Sequence, residues 1–77
     1  MPYVNIQVTR EGTLPGENET TASQKAAIIK GVSELLLEIM GKPLNSTFVV
    51  IQEVEMDSWG VGGLPVTHYR NQAEADR

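Results

Sequence analysis

The chain has 77 residues and a net charge of −4, with one histidine and no cysteine. These features exclude disulfides and thiolate metal sites and argue against a histidine-based metal cluster, and an acidic chain without a basic run does not fit nucleic acid. No apolar stretch is long enough to span a membrane and no signal-peptide pattern is present, so we predict a cytoplasmic protein without membrane contact.

The first predicted element is a β-strand directly after Pro2. In the stretch YVNIQVT, Val4, Ile6 and Val8 alternate with other residues, and this period of two with β-branched side chains is typical of a strand. Residues 10–20 contain Gly12, Pro15, Gly16 and Asn18, which predict a loop. A loop of this length in so small a domain is usually functional or mobile.

A helix is predicted to begin after Thr21 and to end near Gly41. Thr21 followed three residues later by Gln24 fits a capping box. Gly41 fits the residue that ends a helix, and Pro43 prevents its continuation. Apolar residues recur at steps of three and four and so share one face. They are Ala22, Ala26, Ile29, Val32, Leu36 and Ile39.

The second predicted strand is TFVVIQEV, whose apolar run from Phe48 to Ile51 suggests a strand covered on both faces. The glycines of the following WGVGG segment predict a turn and a short hairpin-like segment through Val66 and Tyr69. The polar residues 71–77 are expected to form a frayed tail.

The order of elements predicts one α/β domain over residues 1–77, a short β-α-β subunit with parallel strands and a C-terminal hairpin-like segment. One helix covers only one face of a two-stranded sheet, and two strands alone are not independently stable. A chain this short also buries only about 60% of its unfolded surface. We therefore predict that oligomerisation completes the sheet, with its bare face packed on another subunit.

Pro2 is the first candidate catalytic residue. If Met1 is removed after synthesis, the Pro2 nitrogen becomes a free secondary amine instead of an amide. The pKa of an α-amino group is about 7.7–8.0, and burial in an apolar pocket lowers it. A base with a pKa near neutrality is suited to abstracting a proton next to a carbonyl group.

The combination of these features resembles the tautomerase superfamily, in particular the small-subunit 4-oxalocrotonate tautomerase family. The resemblance is carried by MPYVNIQVT, QKAAIIKGVSELL, LNSTFVVIQEV and WGVGG, and an enlarged loop at residues 10–20 interrupts it. It implies a homohexamer, a trimer of dimers, that needs no cofactor and no metal. It also implies an isomerase in which Pro2 is the general base. That base would move a proton between carbon and enol oxygen of an unsaturated 2-hydroxy or 2-keto acid.

The same resemblance implies three substrate-binding positions. Arg10 lies near the position of an arginine that holds a substrate carboxylate, and Trp59 replaces an aromatic residue whose apolar wall lowers the pKa of the proline. Phe48 stands where the family has a second arginine, and a phenylalanine cannot bind an oxyanion. This departure favours an apolar enol such as a phenylenolpyruvate-like compound over a dicarboxylate.

Two alternative functions remain open from the sequence. The missing strand arginine also fits a non-catalytic oligomer of the same fold that binds a small molecule or a protein. A dehalogenase or decarboxylase of the superfamily would need a protonated proline and a second carboxylate or arginine, and Glu11, Glu17 and Glu19 could each supply the carboxylate. Arg70 could enter a neighbouring subunit's pocket and His68 is a residue type suited to acid–base work, but both also fit ordinary surface positions.

Overall fold

The computed structural model describes residues 1–75. Its elements are β1 (Tyr3–Thr9), α1 (Ala22–Met40), β2 (Phe48–Val54), β3 (Gly60–Val61), β4 (Leu64–Pro65) and α2 (Val66–Ala75). Short 3₁₀ turns at Leu44–Ser46 and Met56–Ser58 precede β2 and β3. The predicted α/β class and the β-α-β unit are confirmed. Neither of the two helices in the described part is long and apolar enough to cross a membrane.

β1 and β2 form a parallel pair in register, from Tyr3 opposite Phe48 to Thr9 opposite Val54. Alternate residues of each strand face opposite sides of the sheet, and α1 packs on β2. On the side of the sheet away from α1, the residues of both strands are exposed, and we call this side the open sheet face. It carries Tyr3, Asn5, Gln7, Phe48, Val50 and Gln52. Within one chain β2 is therefore covered on one face only, whereas its apolar run predicted cover on both.

α1 begins and ends where its sequence predicts. The Thr21 hydroxyl accepts a hydrogen bond from the Gln24 backbone N–H at 3.1 Å, and the Gln24 side-chain oxygen accepts one from the Thr21 N–H at 3.0 Å. This reciprocal pair is the capping box. At the other end Gly41 has a φ of +68°, and its N–H donates to the Leu37 carbonyl at 3.0 Å.

The apolar face of α1 is only partly covered within the chain. Val32 and Leu36 of the predicted face are half-buried. Ile29 and Ile39 of the same face remain exposed, Ile39 to 71%. The helix therefore carries apolar surface that one β-α-β unit leaves in contact with water.

The described part of the chain is extended for its length. Its radius of gyration is 16.2 Å, compared with about 11–12 Å for a compact domain of this size. Its accessible surface of 5689 Å² exceeds the roughly 4600 Å² expected for a compact protein of its mass. A single subunit therefore has little core of its own, which agrees with the prediction of an oligomer.

The C-terminal segment is a hairpin followed by a helix. β3 and β4 pair antiparallel around Gly62 and Gly63, which have φ values of +60° and +84°. The predicted hairpin is confirmed, but its predicted extension through Val66 and Tyr69 is wrong because α2 begins at Val66. The Val66 N–H donates to the Trp59 carbonyl at 2.8 Å, and Val66 is only 5% exposed, so this residue fixes the start of α2.

The expected frayed tail is also replaced by structure as far as it is described. Residues 71–75 belong to α2, and residues 76–77 lie outside the described residues. The polar composition of residues 71–77 does not indicate a helix, because the attachment of α2 depends on contacts with distant parts of the chain. The loop predicted at residues 10–20 contains neither helix nor strand.

Candidate active site

Pro2 and Phe48 meet at the amino end of the sheet. The backbone N–H of Phe48 donates to the carbonyl oxygen of Pro2 at 3.0 Å. Phe48 lies directly opposite Tyr3 in the register and is 50% exposed. The sheet therefore fixes the backbone at Pro2 and sets an exposed aromatic pair beside it.

Arg10 lies at the opposite end of the sheet from Pro2. All of β1, from Tyr3 to Thr9, separates the two residues, and a strand of that length puts them about 26 Å apart. The Arg10 N–H donates to the Val54 carbonyl at 2.8 Å, which fixes Arg10 at the carboxyl end of β2. One subunit therefore cannot bring Pro2 and Arg10 to the same small substrate.

Carboxylates of the same chain already hold the Arg10 guanidinium. Its Nη1 lies 2.7 Å from Oε2 of Glu19, and its Nε lies 2.6 Å from Oε1 of Glu55. A third carboxylate, that of Glu53, is 3.9 Å away. The hydrogen bond to Glu55 is the main cause that raises the pKa of Arg10 above its ordinary value. A substrate carboxylate would have to compete with these groups for Arg10.

Glu53 is the enclosed member of this charged group. Its side chain is 3% exposed, and the Nζ of Lys25 lies 2.6 Å from its Oε1. The Thr20 backbone N–H donates to its Oε2 at 3.3 Å. The contact with Lys25 lowers the pKa of Glu53, against the opposing effect of burial. The group joins α1, the end of β2 and the end of the loop, so it positions residues 10–20.

Sequence reasoning did not identify Glu53 as a member of the site, although a signal was present. Glu53 follows Val49 and Ile51 at a period of two, so the alternation of β2 places its carboxylate on the face covered by α1. A carboxylate on a covered face requires a partner, and the basic Lys25 in the first turns of the helix provides it.

A second charged group fastens α2 to the segment after β1. The Nη1 and Nη2 of Arg70 donate to the two carboxylate oxygens of Glu11 at 3.1 and 3.0 Å. The Thr9 hydroxyl donates to the same carboxylate. The bonds from Arg70, followed by the bond from Thr9, lower the pKa of Glu11 to about 2. Within the chain Arg70 is thus occupied by Glu11.

Trp59 lies beyond the carboxyl end of β2, after the turn Met56–Ser58. It is half-buried, and its carbonyl accepts the hydrogen bond that begins α2. Of the predicted site residues, the structure thus brings together Pro2 and Phe48 and leaves Arg10 and Trp59 towards the other end of the sheet. The described residues of the single chain enclose no pocket.

Comparisons with known proteins agree with this architecture. The family model for tautomerase enzymes matches residues 2–69. A probable tautomerase, K2 of Dickeya dadantii, is 47% identical over 73 residues, which cover 95% of this chain and 98% of that protein.

Solved structures share the fold. The crystal structure of DmpI from Helicobacter pylori matches with a TM-score of 0.75 at 36% identity, covering 91% of this chain and 97% of that one. A heterohexamer 4-oxalocrotonate tautomerase from Chloroflexus aurantiacus matches with a TM-score of 0.68 at 27% identity, covering 87% and 95%. Since these matches extend over nearly the whole chain, the protein belongs to the tautomerase family and has the fold of 4-oxalocrotonate tautomerase homologues.

Proposed function

We propose that the protein is a cofactor-independent tautomerase in which Pro2, exposed by removal of Met1, is the general base. Membership of the family supports tautomerase activity in general. The hydrogen bond of 3.0 Å from the Phe48 N–H to the Pro2 carbonyl carries the assignment to Pro2, because it fixes this residue on the sheet. Met1 is 85% exposed, so a processing peptidase can reach it.

The proposed chemistry uses only the amine. While Met1 is attached, the Pro2 nitrogen is an amide and cannot accept a proton under mild conditions. Once free, its lone pair takes the proton of an enol O–H, the oxygen electrons form the C=O bond, and the electron pair of the C=C bond takes a proton at carbon from the prolinium. A proton has then moved from oxygen to carbon with no net redox change, so the reaction needs no cofactor.

We place the complete site between subunits of a homo-oligomer. Pro2 and Arg10 are about 26 Å apart along one strand, so an Arg10 that serves a given Pro2 comes from another copy. The large exposed surface of the single chain supports such an assembly, and one structural neighbour is described as a heterohexamer. We propose a homohexamer, a trimer of dimers, in which the open sheet face packs on other copies.

An apolar or aryl enol acid is the proposed substrate class, with phenylenolpyruvate as its representative. Phe48 offers an aromatic surface beside Pro2 and carries no charge. Arg10, the single cation among the predicted site residues, is held by Glu19 and Glu55. A monocarboxylate with an apolar end fits this arrangement better than a dicarboxylate, which needs two cationic partners.

The test compares kcat/KM for phenylenolpyruvate and for the dicarboxylate 2-hydroxymuconate, using Met1-free protein of verified mass. We expect the aryl enol to be converted faster, and we expect Pro2→Ala to lose roughly 10²-fold or more of that rate. Phe48→Arg, which adds a cation beside Pro2, should shift the preference towards the dicarboxylate. Faster turnover of the dicarboxylate by the unmodified protein would contradict the proposed substrate class.

A non-catalytic binding oligomer of the same fold is the second candidate. The carboxylates of Glu19 and Glu55 on Arg10 favour it, because they occupy the group expected to hold a substrate. Equal background rates for the Met1-free protein and for Pro2→Ala would support this candidate. A dehalogenase or decarboxylase would be able to use Glu11 only after the two hydrogen bonds from Arg70 to its carboxylate had broken.

A further inference from the structure

Three carboxamides form a hydrogen-bonded cluster in the middle of the open sheet face. The Oε1 of Gln52 accepts bonds from Nδ2 of Asn5 at 3.2 Å and from Nε2 of Gln7 at 3.0 Å. The same Nδ2 of Asn5 also donates to the hydroxyl of Tyr3 at 3.3 Å. We call Asn5, Gln7 and Gln52 the amide cluster. It spans both strands, since Gln7 lies directly opposite Gln52 in the register.

The amide cluster retains both donors and acceptors that the chain does not use. Among residues 1–75, the Nε2 of Gln52 donates no hydrogen bond, and the Oδ1 of Asn5 and the Oε1 of Gln7 accept none. Water satisfies these groups while the face is exposed. If another molecule covers the face, each group costs free energy unless the partner offers a matching group.

The surroundings of the amide cluster indicate that the face does become covered. Val50 stands exposed on the same face, and the chain exposes roughly 1000 Å² more than a compact protein of its mass. Protein interfaces carry about one hydrogen bond per 100–200 Å² of contact, so a polar cluster beside apolar residues fits such a contact. Because unused donors and acceptors occur side by side in one cluster, a second copy of the same chain can satisfy both kinds.

We propose that the amide cluster lies at a contact between copies of this chain and fixes the register and number of the subunits, with Gln52 donating across the contact. Apolar packing alone tolerates several alignments of similar free energy, whereas directional hydrogen bonds between buried polar groups favour one of them. The inference rests on the proposed assembly through the open sheet face. It does not depend on the proposed role of Pro2 in catalysis.

The test substitutes Gln52→Leu and measures the mass of the assembly by sedimentation velocity and native mass spectrometry. The control is Gln72→Leu, the same change at an exposed glutamine of α2. We expect one species for the unmodified protein and for the control, and more than one stoichiometry for Gln52→Leu. A single unchanged mass for Gln52→Leu would overturn the inference. A monomeric unmodified protein would overturn the assembly and the inference together, whatever its activity.

A second variant distinguishes loss of the contact from poor folding of Gln52→Leu, because its side chain has nearly the same shape as glutamine. Gln52→Glu places a carboxylate in the proposed contact, and ionisation of a carboxylate that is buried between copies is unfavourable. We expect at least tenfold weaker association at pH 7.5, with recovery towards pH 4 as the carboxyl group is protonated. Gln72→Glu should stay assembled at both pH values. Association of Gln52→Glu at pH 7.5 as tight as that of its control would overturn the inference.

Discussion

The ammonium of Lys25 and the carboxylate of Glu53 form an enclosed ion pair, with 2.6 Å between Nζ and Oε1 and a glutamate side chain that is 3% exposed. Lys25 lies on α1 and Glu53 near the carboxyl end of β2. The pair therefore ties the helix to the sheet beside Arg10, whose guanidinium is 3.9 Å from the same glutamate. It also supports the end of the loop through the Thr20 N–H.

Glu53→Gln should lower the melting temperature by several degrees at fixed protein concentration. The substitution leaves the Lys25 ammonium without its enclosed counter-charge. Removing only one partner of an enclosed ion pair lowers the stability of the fold. Glu55→Gln is the matched control, because Glu55 pairs with Arg10 while its side chain is 63% exposed, and exposed pairs contribute little. Equal losses in the two variants would contradict the enclosed role of Glu53.

The Glu11–Arg70 pair should persist into strong acid. The pKa of Glu11 is lowered from 4.5 to about 2. A lowered pKa gives stability that is fully present above the unfolded-state value and is lost as the pH falls through the folded-state value. The attachment of α2 should therefore weaken between about pH 4.5 and pH 2, and Glu11→Gln should lack that dependence. A carboxyl ¹³C titration of Glu11 with a midpoint near 4.5 would contradict this account.

Gly31 inside α1 and Gly41 at its C-terminal cap should respond to alanine with opposite sign. Gly41 has a φ of +68°, so Gly41→Ala should lower the free energy of unfolding by about 1 kcal/mol. Gly31 lies inside the helix with nothing within 4 Å of an added Cβ, so Gly31→Ala should raise it by about 0.5–1 kcal/mol. Denaturant unfolding at one protein concentration measures both. A loss at Gly31 would show instead that a neighbouring subunit packs closely there.

Thr21→Ala should cost about 1 kcal/mol in the free energy of unfolding, because it removes the side-chain acceptor of the capping box. Ser23→Ala, an exposed substitution in the same turn, provides the control and should have little effect. Urea denaturation of the two variants measures the difference. A Thr21→Ala protein as stable as the Ser23→Ala protein would show that the cap contributes nothing to the stability of the fold.

The sequence predicts the elements whose signals are local. The limits of α1 follow from Thr21, Gln24 and Gly41, whereas the register that brings Phe48 to Pro2 is set by the pairing of β1 with β2. The helix α2 was missed because its attachment uses contacts that are distant in sequence, such as that of Arg70 with Glu11. The carboxylates on Arg10 were missed because Glu19, Glu53 and Glu55 reach it from the loop and from the far end of β2.

The most direct test of the account compares two forms of one protein that differ only at the N-terminus. The initial rate of phenylenolpyruvate ketonisation is followed by absorbance for the Met1-free form and for the form that retains Met1, each verified by mass. We predict clear activity for the Met1-free form and a background rate for the other, because only the first has a free Pro2 amine. Equal rates for the two forms would contradict the assignment of Pro2 as the base.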